Sequence, residues 1–221
     1  MSPRQEAQPE FGPESAGYMA RVSWEGRQSF IHPRLAKQVL HDFGITEGRA
    51  LDIGCGAARL TVELARRSRL ALTGLDISPH MLDIARMKVK EHGLEDRITL
   101  VEAKAEKLPF PDNHFQLIVS RGAIGFFENK TAAFREIHRV LAPGGHTWVG
   151  GGDARGWPAN PRDFFLKITF QYDAWRRFRR PQWKKMWLSQ AQWEDILREA
   201  GVNDYTIHPG RMWIEIRKRT G

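Results

Sequence analysis

Two glycines and two carboxylates stand at spacings that suit a ribose-bearing ligand. Gly54 and Gly56 follow the short apolar run 49–53, which ends in Asp52 and Ile53. A glycine turn between a strand and a helix lets backbone approach a ligand where a side chain would collide. The second carboxylate, Asp76, closes the next apolar run, 70–75, and stands twenty residues beyond Gly56. A carboxylate at that point can accept hydrogen bonds from both hydroxyls of a ribose. Two absences narrow the ligand. The third glycine of a GxGxxG dinucleotide turn is replaced by Arg59, and no Gly-Lys-Ser/Thr ending follows Gly56 as a phosphate loop requires. The ribose is therefore expected to arrive without a pyrophosphate.

The elements that must position these residues follow from periodicity and punctuation. Leu35, Val39 and Leu40 mark one face of a helix over 31–43, stopped by Gly44. A strand over 49–53 leads through the glycines into a helix over 57–67, and a second strand covers 70–75. Ser78 and Pro79 supply an N-cap and a first helical residue, with Leu82, Ala85 and Val89 as the stripe and Gly93 as the stop. Strands follow at 97–101 and 115–119, then a helix carrying Phe134, Ile137 and Leu141, then a strand over 146–149 after Pro143-Gly144-Gly145. Ser189 with Gln192 forms a capping box for a helix that Gly201 ends, and 202–208 and 211–217 read as two adjacent antiparallel strands. Strands alternating with helices predict an α/β fold, a Rossmann-like doubly wound and mostly parallel seven-stranded sheet with a final antiparallel strand. Residues 1–16 read as a flexible tail and 17–221 as one domain, with 157–188 as a basic, aromatic helical insertion or lid kinked at Pro181.

Composition sets the surroundings. The 221 residues are 41% hydrophobic and 27% charged, ordinary for a soluble globular chain. No apolar run reaches the ~18 residues of a membrane span, and the N-terminal residues lack the apolar stretch of a secretory leader, so a cytoplasmic location is expected. The one cysteine, Cys55, excludes an internal disulfide framework and a cysteine-based metal cluster. The spacing of His32, His114, His146 and His208 does not argue for a metal site, and a surface or strand-end place is the default for each. The net charge of +8 is concentrated in 174–187, where six cations occur with no carboxylate among them. Trp175, Phe178, Trp183 and Trp187 interleave with those cations, as on a binding surface.

Four motifs in order add a resemblance. LDIGCGA at 51–57, LDISPHM at 75–81, AEKLPFPD at 105–112 and RVLAPGG at 139–145 resemble the successive motifs of class I S-adenosylmethionine-dependent methyltransferases. The likeness runs over about 45–152 and is to the small-molecule branch often called type 11. It implies S-adenosylmethionine as cofactor and S-adenosylhomocysteine as product. By position, Gly54, Cys55 and Gly56 would pass under the methionine part, with Asp52 organising its amino group. Asp76 would hold the ribose, Ile77 and Met81 would flank the adenine, and Ala105 and Glu106 would lie at its edge. Ser120 would offer backbone near the methionine amine. One position departs from the pattern: an acidic residue often precedes the Ala-Glu pair, and here it is Lys104, which has no acceptor to give.

The reaction so implied is methyl transfer by direct displacement onto a small molecule, an anionic one on the reading that Arg121 and the lid cations orient it. Donor motifs are silent on the acceptor, because an activated sulfonium needs alignment and dryness more than a dedicated base. Arg121 and Asp153 are the candidates for orienting the acceptor and taking its proton. Tyr18, Phe126, Tyr172 and Arg176 are the candidates for contacting it. Two alternatives rest on the basic segment: an RNA acceptor held by phosphate contacts, and an amphipathic lipid-like acceptor at a membrane surface.

Overall fold

The alternation of strand and helix patterns resolves into one sheet with helices on both faces. The computed structural model describes residues 12–26, 29–151, 188–208 and 213–220. In chain order the elements are α1 (Pro13–Trp24), α2 (Ile31–Phe43), β1 (Arg49–Ile53), α3 (Arg59–Arg67), β2 (Ala71–Asp76), α4 (Pro79–Glu91) and β3 (Ile98–Glu102). Then come β4 (Phe115–Arg121), one 3-10 turn (Ile124–Phe126), α5 (Lys130–Val140), β5 (Leu141–Gly150), α6 (Gln190–Glu199), β6 (Tyr205–His208) and β7 (Trp213–Ile216). The strands stand in the order β3-β2-β1-β4-β5-β7-β6. The pairs from β3 to β5 are parallel, and β7 runs antiparallel to both β5 and β6. This is the expected Rossmann-like, doubly wound sheet, with its last strand reversed.

A parallel sheet covered on both faces makes each strand feed two cores. Leu51 and Ile53 of β1 pack on the side of Phe134 and Ile137 of α5 and Trp193 and Leu197 of α6. Ala50, the residue before Leu51, turns to the other side, against Leu35 and Val39 of α2, Leu60 and Leu64 of α3, and Ala85 and Val89 of α4. Each fully buried Leu or Val contributes about 1.5–3 kcal/mol relative to exposure. Gly44, at φ +65°, terminates α2, and Ser78 and Asn129 cap α4 and α5 by accepting from Met81 and Ala132 N–H. The Ser189–Gln192 capping box opens α6 as expected.

Three boundaries are corrected. Residues 13–16, expected within the flexible tail, open α1: Pro13 takes its first position and Ala16, fully buried, packs toward α4. A helix whose buried face is two alanines spaced by four carries too little hydrophobic contrast to show in the pattern. α3 begins at Arg59 rather than 57, because Ala58 sits at φ +59° and breaks the helical path. β5 starts at Leu141, ahead of the expected 146. Its register shifts between the Phe115–Leu141 and Leu117–His146 pairs, so Pro143, Gly144 and Gly145 bulge out of the ladder. Gly144 N–H then donates to Lys218 O at 2.7 Å, and Lys218 N–H to Gly145 O at 3.2 Å. The expected lid over 157–188 lies outside the described residues except for Leu188, which packs against the α5–α6 core.

The chain direction across the sheet switches between β1 and β4. From β1 the chain proceeds to β2 and β3 on one side, whereas β4 and β5 lie on the other. Open α/β sheets bind ligands outside the carboxyl ends of the strands at such a point. The ends of β1, β2 and β4 therefore set the place to look.

Candidate active site

The turn after β1 is anchored almost atom by atom. Gly54 and Cys55 N–H both donate to Leu75 O, at 2.7 and 3.0 Å, and Gly56 N–H donates to Asp76 Oδ2 at 2.8 Å. Ala58 N–H closes the turn onto Cys55 O at 2.9 Å. The two glycines are needed for different reasons. A Cβ on Gly54 (φ +70°) would fall 2.2 Å from Ala123 Cβ, so this glycine lets the loop after β4 close over the turn. A Cβ on Gly56 (φ +54°) would meet nothing within 4 Å, so here the backbone borders open space. No side chain caps α3, whose N-terminus follows directly and adds a positive dipole end beside that space.

Two buried carboxylates face the same turn. Asp52 is 2% exposed, and its Oδ2 accepts from Thr61 Oγ1 at 2.7 Å. Burial pushes its pKa up to about 7; the Thr61 bond opposes that, and the negative charge of Asp76 adds to it. Asp76 accepts from Ser78 N–H at 2.9 Å through Oδ1, besides Gly56 through Oδ2. Burial raises its pKa as well, and those backbone donors hold it down. Among the described residues neither carboxylate has an ion-pair partner. Each bonded oxygen retains a lone pair, so Asp76 can still take two hydroxyls. An uncompensated pair of buried carboxylates favours a ligand that brings positive charge.

The remaining sequence candidates fall around this centre. Ser120 on β4 is fully buried, and its Oγ has no hydrogen-bond partner among the described residues. Ile77 is 40% exposed, a large apolar side chain left open immediately after Asp76. Met81 in the first turn of α4 is buried, and so is Ala105. Cys55 is buried, with its thiol held well above its usual pKa chiefly by that burial, which fits a turn residue and not a nucleophile. Its Sγ would lie 3.1 Å from a Cβ on Gly74, so β2 needs a glycine there to seat it.

Glu106 is engaged elsewhere: its Oε1 accepts from Glu128 and Asn129 N–H at 2.7 and 3.3 Å and ties down the start of α5. Lys104 pairs with Glu128 at 3.2 Å. Arg121 ends β4, and its Nη1 lies 3.4 Å from Nε2 of His32. Phe126 is half-buried in the 3-10 turn, and Tyr18 is half-buried on α1. Asp153, Tyr172 and Arg176 lie outside the described residues.

Two residues were missed in the sequence. Trp24, the last residue of α1, donates from Nε1 to Ala57 O inside the glycine turn at 2.9 Å. His32 is only 7% exposed and stands in the first turn of α2, away from its default surface place. His146 and His208 sit within an aromatic group instead, stacked on Phe43 and tilted against Trp148, and His114 packs edge-on to Phe115. Among the described residues no group of three His, Cys, Asp or Glu is arranged to hold a metal, and no helix is long and apolar enough to cross a membrane.

Known proteins share this fold. A crystal structure described as an S-adenosyl-L-methionine-dependent methyltransferase from Methanococcus maripaludis superposes with a TM-score of 0.83 at 33% identity, over 100% of this chain and 98% of that one. The chain belongs to the class I S-adenosylmethionine-dependent methyltransferases. The methyltransferase domain family matches residues 50–145 of it. Among curated relatives, methyltransferase GfsG of Streptomyces halstedii is 33% identical over 113 residues, 51% of this chain and 41% of that protein. The ubiquinone/menaquinone biosynthesis C-methyltransferase UbiE of Shewanella frigidimarina is 37% identical over 105 residues, 46% of this chain and 41% of that protein. These matches span about half the length of the curated relatives or less, from 41% to 50%. The site fits the family's methyl donor on three structural grounds: the open space at Gly56, the carboxylates lacking a cation, and the exposed Ile77.

Proposed function

We propose that this methyltransferase moves the methyl group of S-adenosylmethionine onto a small acceptor that carries an anionic group. Bound, the donor supplies an electrophilic methyl on an already activated leaving group. The turn 54–56 and Asp52 would hold its amino acid end, Asp76 its ribose, and Ile77 and Met81 its adenine. What the protein adds is alignment of donor and acceptor in a crevice shielded from water.

The observation that carries the acceptor class is Arg121. It ends β4 beside the switch point, and a guanidinium there recognises carboxylate or phosphate in a fixed fork geometry. Arg121 can only donate, so its contact with His32 needs an unprotonated Nε2, and the ring proton then sits on Nδ1. A relative matched over 41% of its own length is named for ubiquinone and menaquinone biosynthesis, which bears on the size class of the acceptor and not on its charge. The RNA and lipid readings rest on the segment 174–187, which lies outside the described residues.

The test is turnover. Purified enzyme with S-adenosylmethionine is screened by mass spectrometry against small aromatic and aliphatic acids, phosphomonoesters, neutral phenols and short RNAs. We expect methylated product among the anionic small molecules, and Arg121→Met to reduce that turnover by about 100-fold, the loss of a charge-assisted pair. Product from neutral phenols or RNA alone would overturn the acceptor class.

A further inference from the structure

The glycine turn has one anchor that does not come from its own βαβ unit. Four neighbours converge on the indole of Trp24. Its Nε1–H donates to Ala57 O at 2.9 Å, the Arg59 guanidinium lies over the ring at 4.6 Å, Lys88 Nζ lies over it at 5.3 Å, and His92 stacks on it at 5.0 Å with 17° between planes. One side chain of α1 thus touches the turn, α3 and the end of α4. Arg59 is also paired with Glu63 at 3.0 Å, so the cation that replaces the dinucleotide glycine lies over Trp24 while held within α3.

The place of that hydrogen bond matters. Ala57 immediately precedes Ala58, a non-glycine residue at φ +59°. A left-handed alanine costs roughly 1–2 kcal/mol and persists only where its surroundings fix it. The N–H of Ala58 is held by Cys55 O, and the carbonyl just before it is held by Trp24. The N–H groups of Gly54, Cys55 and Gly56 are held by the end of β2. Removing Trp24 would free the half of the turn that leads into α3 and leave the half that leaves β1 intact.

We propose that Trp24 is a positioning residue for the cofactor: by holding Ala57 O it sets the open face of the turn at Gly56, so docking of α1 and cofactor affinity are one event. The proposal rests on the cofactor reading above. It also ties α1, which carries the acceptor candidate Tyr18, to the cofactor end of the site.

The experiment uses the full chain and S-adenosylhomocysteine. Trp24→Phe keeps a ring for Arg59, Lys88 and His92 and deletes the donor. We expect it to melt within a few degrees of wild type while the Kd for S-adenosylhomocysteine rises about 3- to 10-fold, the worth of one hydrogen bond. In wild type, the indole N–H resonance that disappears in Trp24→Phe should shift, and exchange more slowly with solvent, when S-adenosylhomocysteine is added. This second readout needs no variant to bind ligand. An unchanged Kd in Trp24→Phe, or a wild-type indole resonance indifferent to the ligand, would overturn the proposal. Failure of wild type to bind S-adenosylhomocysteine at all would instead overturn the cofactor reading.

Discussion

At the ends of β1 and β2 the polar contacts, the Trp24–Ala57 bond apart, join residues close in sequence, and at the end of β4 they do not. Ser78 reaches Asp76 over 2 positions, Thr61 reaches Asp52 over 9, and Gly56 reaches Asp76 over 20. Arg121 meets His32 across 89 positions, and Gly122 N–H is held by Gly150 O. The first edge is one strand–turn–helix–strand unit whose backbone and carboxylates organise each other. The second is assembled from α2, β4 and β5, which are distant in the chain. A donor edge of local contacts can be kept while the acceptor edge is rebuilt for a different substrate. This is how one family serves many acceptors.

That contrast can be broken at either edge. Asp76→Ala removes the ribose acceptor and the partner of two backbone N–H groups, and it should weaken S-adenosylhomocysteine binding by about 100-fold or more in titration calorimetry. Gly54→Ala pushes a methyl into Ala123 at a positive φ, so a loss of about 2–3 kcal/mol in denaturant unfolding is expected. The same substitution at Gly56 meets no atom and should cost about 1 kcal/mol, from its φ alone.

Asp52 gives a smaller effect with a definite sign. Burial raises its pKa in the folded protein from the ordinary aspartate range to about 7, so the folded state takes up a proton as pH falls through 7. The carboxylate form would attract the ligand's ammonium, so S-adenosylhomocysteine affinity should drop about tenfold between pH 8 and pH 6. Asp52→Asn should flatten that profile. The same shift makes the wild-type fold progressively less stable as pH rises from the ordinary aspartate range, below which the penalty is absent, to about 7, above which it is complete. The smallest effect belongs to the other edge: Arg121→Met should change S-adenosylhomocysteine affinity by less than about twofold while turnover collapses. Equal losses in both would erase the distinction between the edges.

How much was legible follows the same line. The succession of strands and helices, the Gly54–Gly56 turn and Asp76 are encoded by short-range punctuation, so periodicity and spacing suffice to find them. Ser78, Asn129 and Ser189 announce their helices for the same reason. Trp24 and His32 were not legible, because their roles exist only once α1 and α2 pack against the turn and β4. Glu106 shows the converse. Its motif position suggests the adenine edge, yet its carboxylate holds the N–H groups of Glu128 and Asn129, a contact that spacing does not reveal. Lys104, which breaks the family pattern, finds its partner in Glu128, a residue of that same loop.

The most direct test of the central claim, that the donor lies at the switch point between β1 and β4, is a crystal structure with S-adenosylhomocysteine. The account predicts both ribose hydroxyls about 3 Å from the Asp76 carboxylate and the homocysteine passing over Gly56 toward Ser120. Ligand density at any other edge of the sheet, or a ribose out of reach of Asp76, would contradict it.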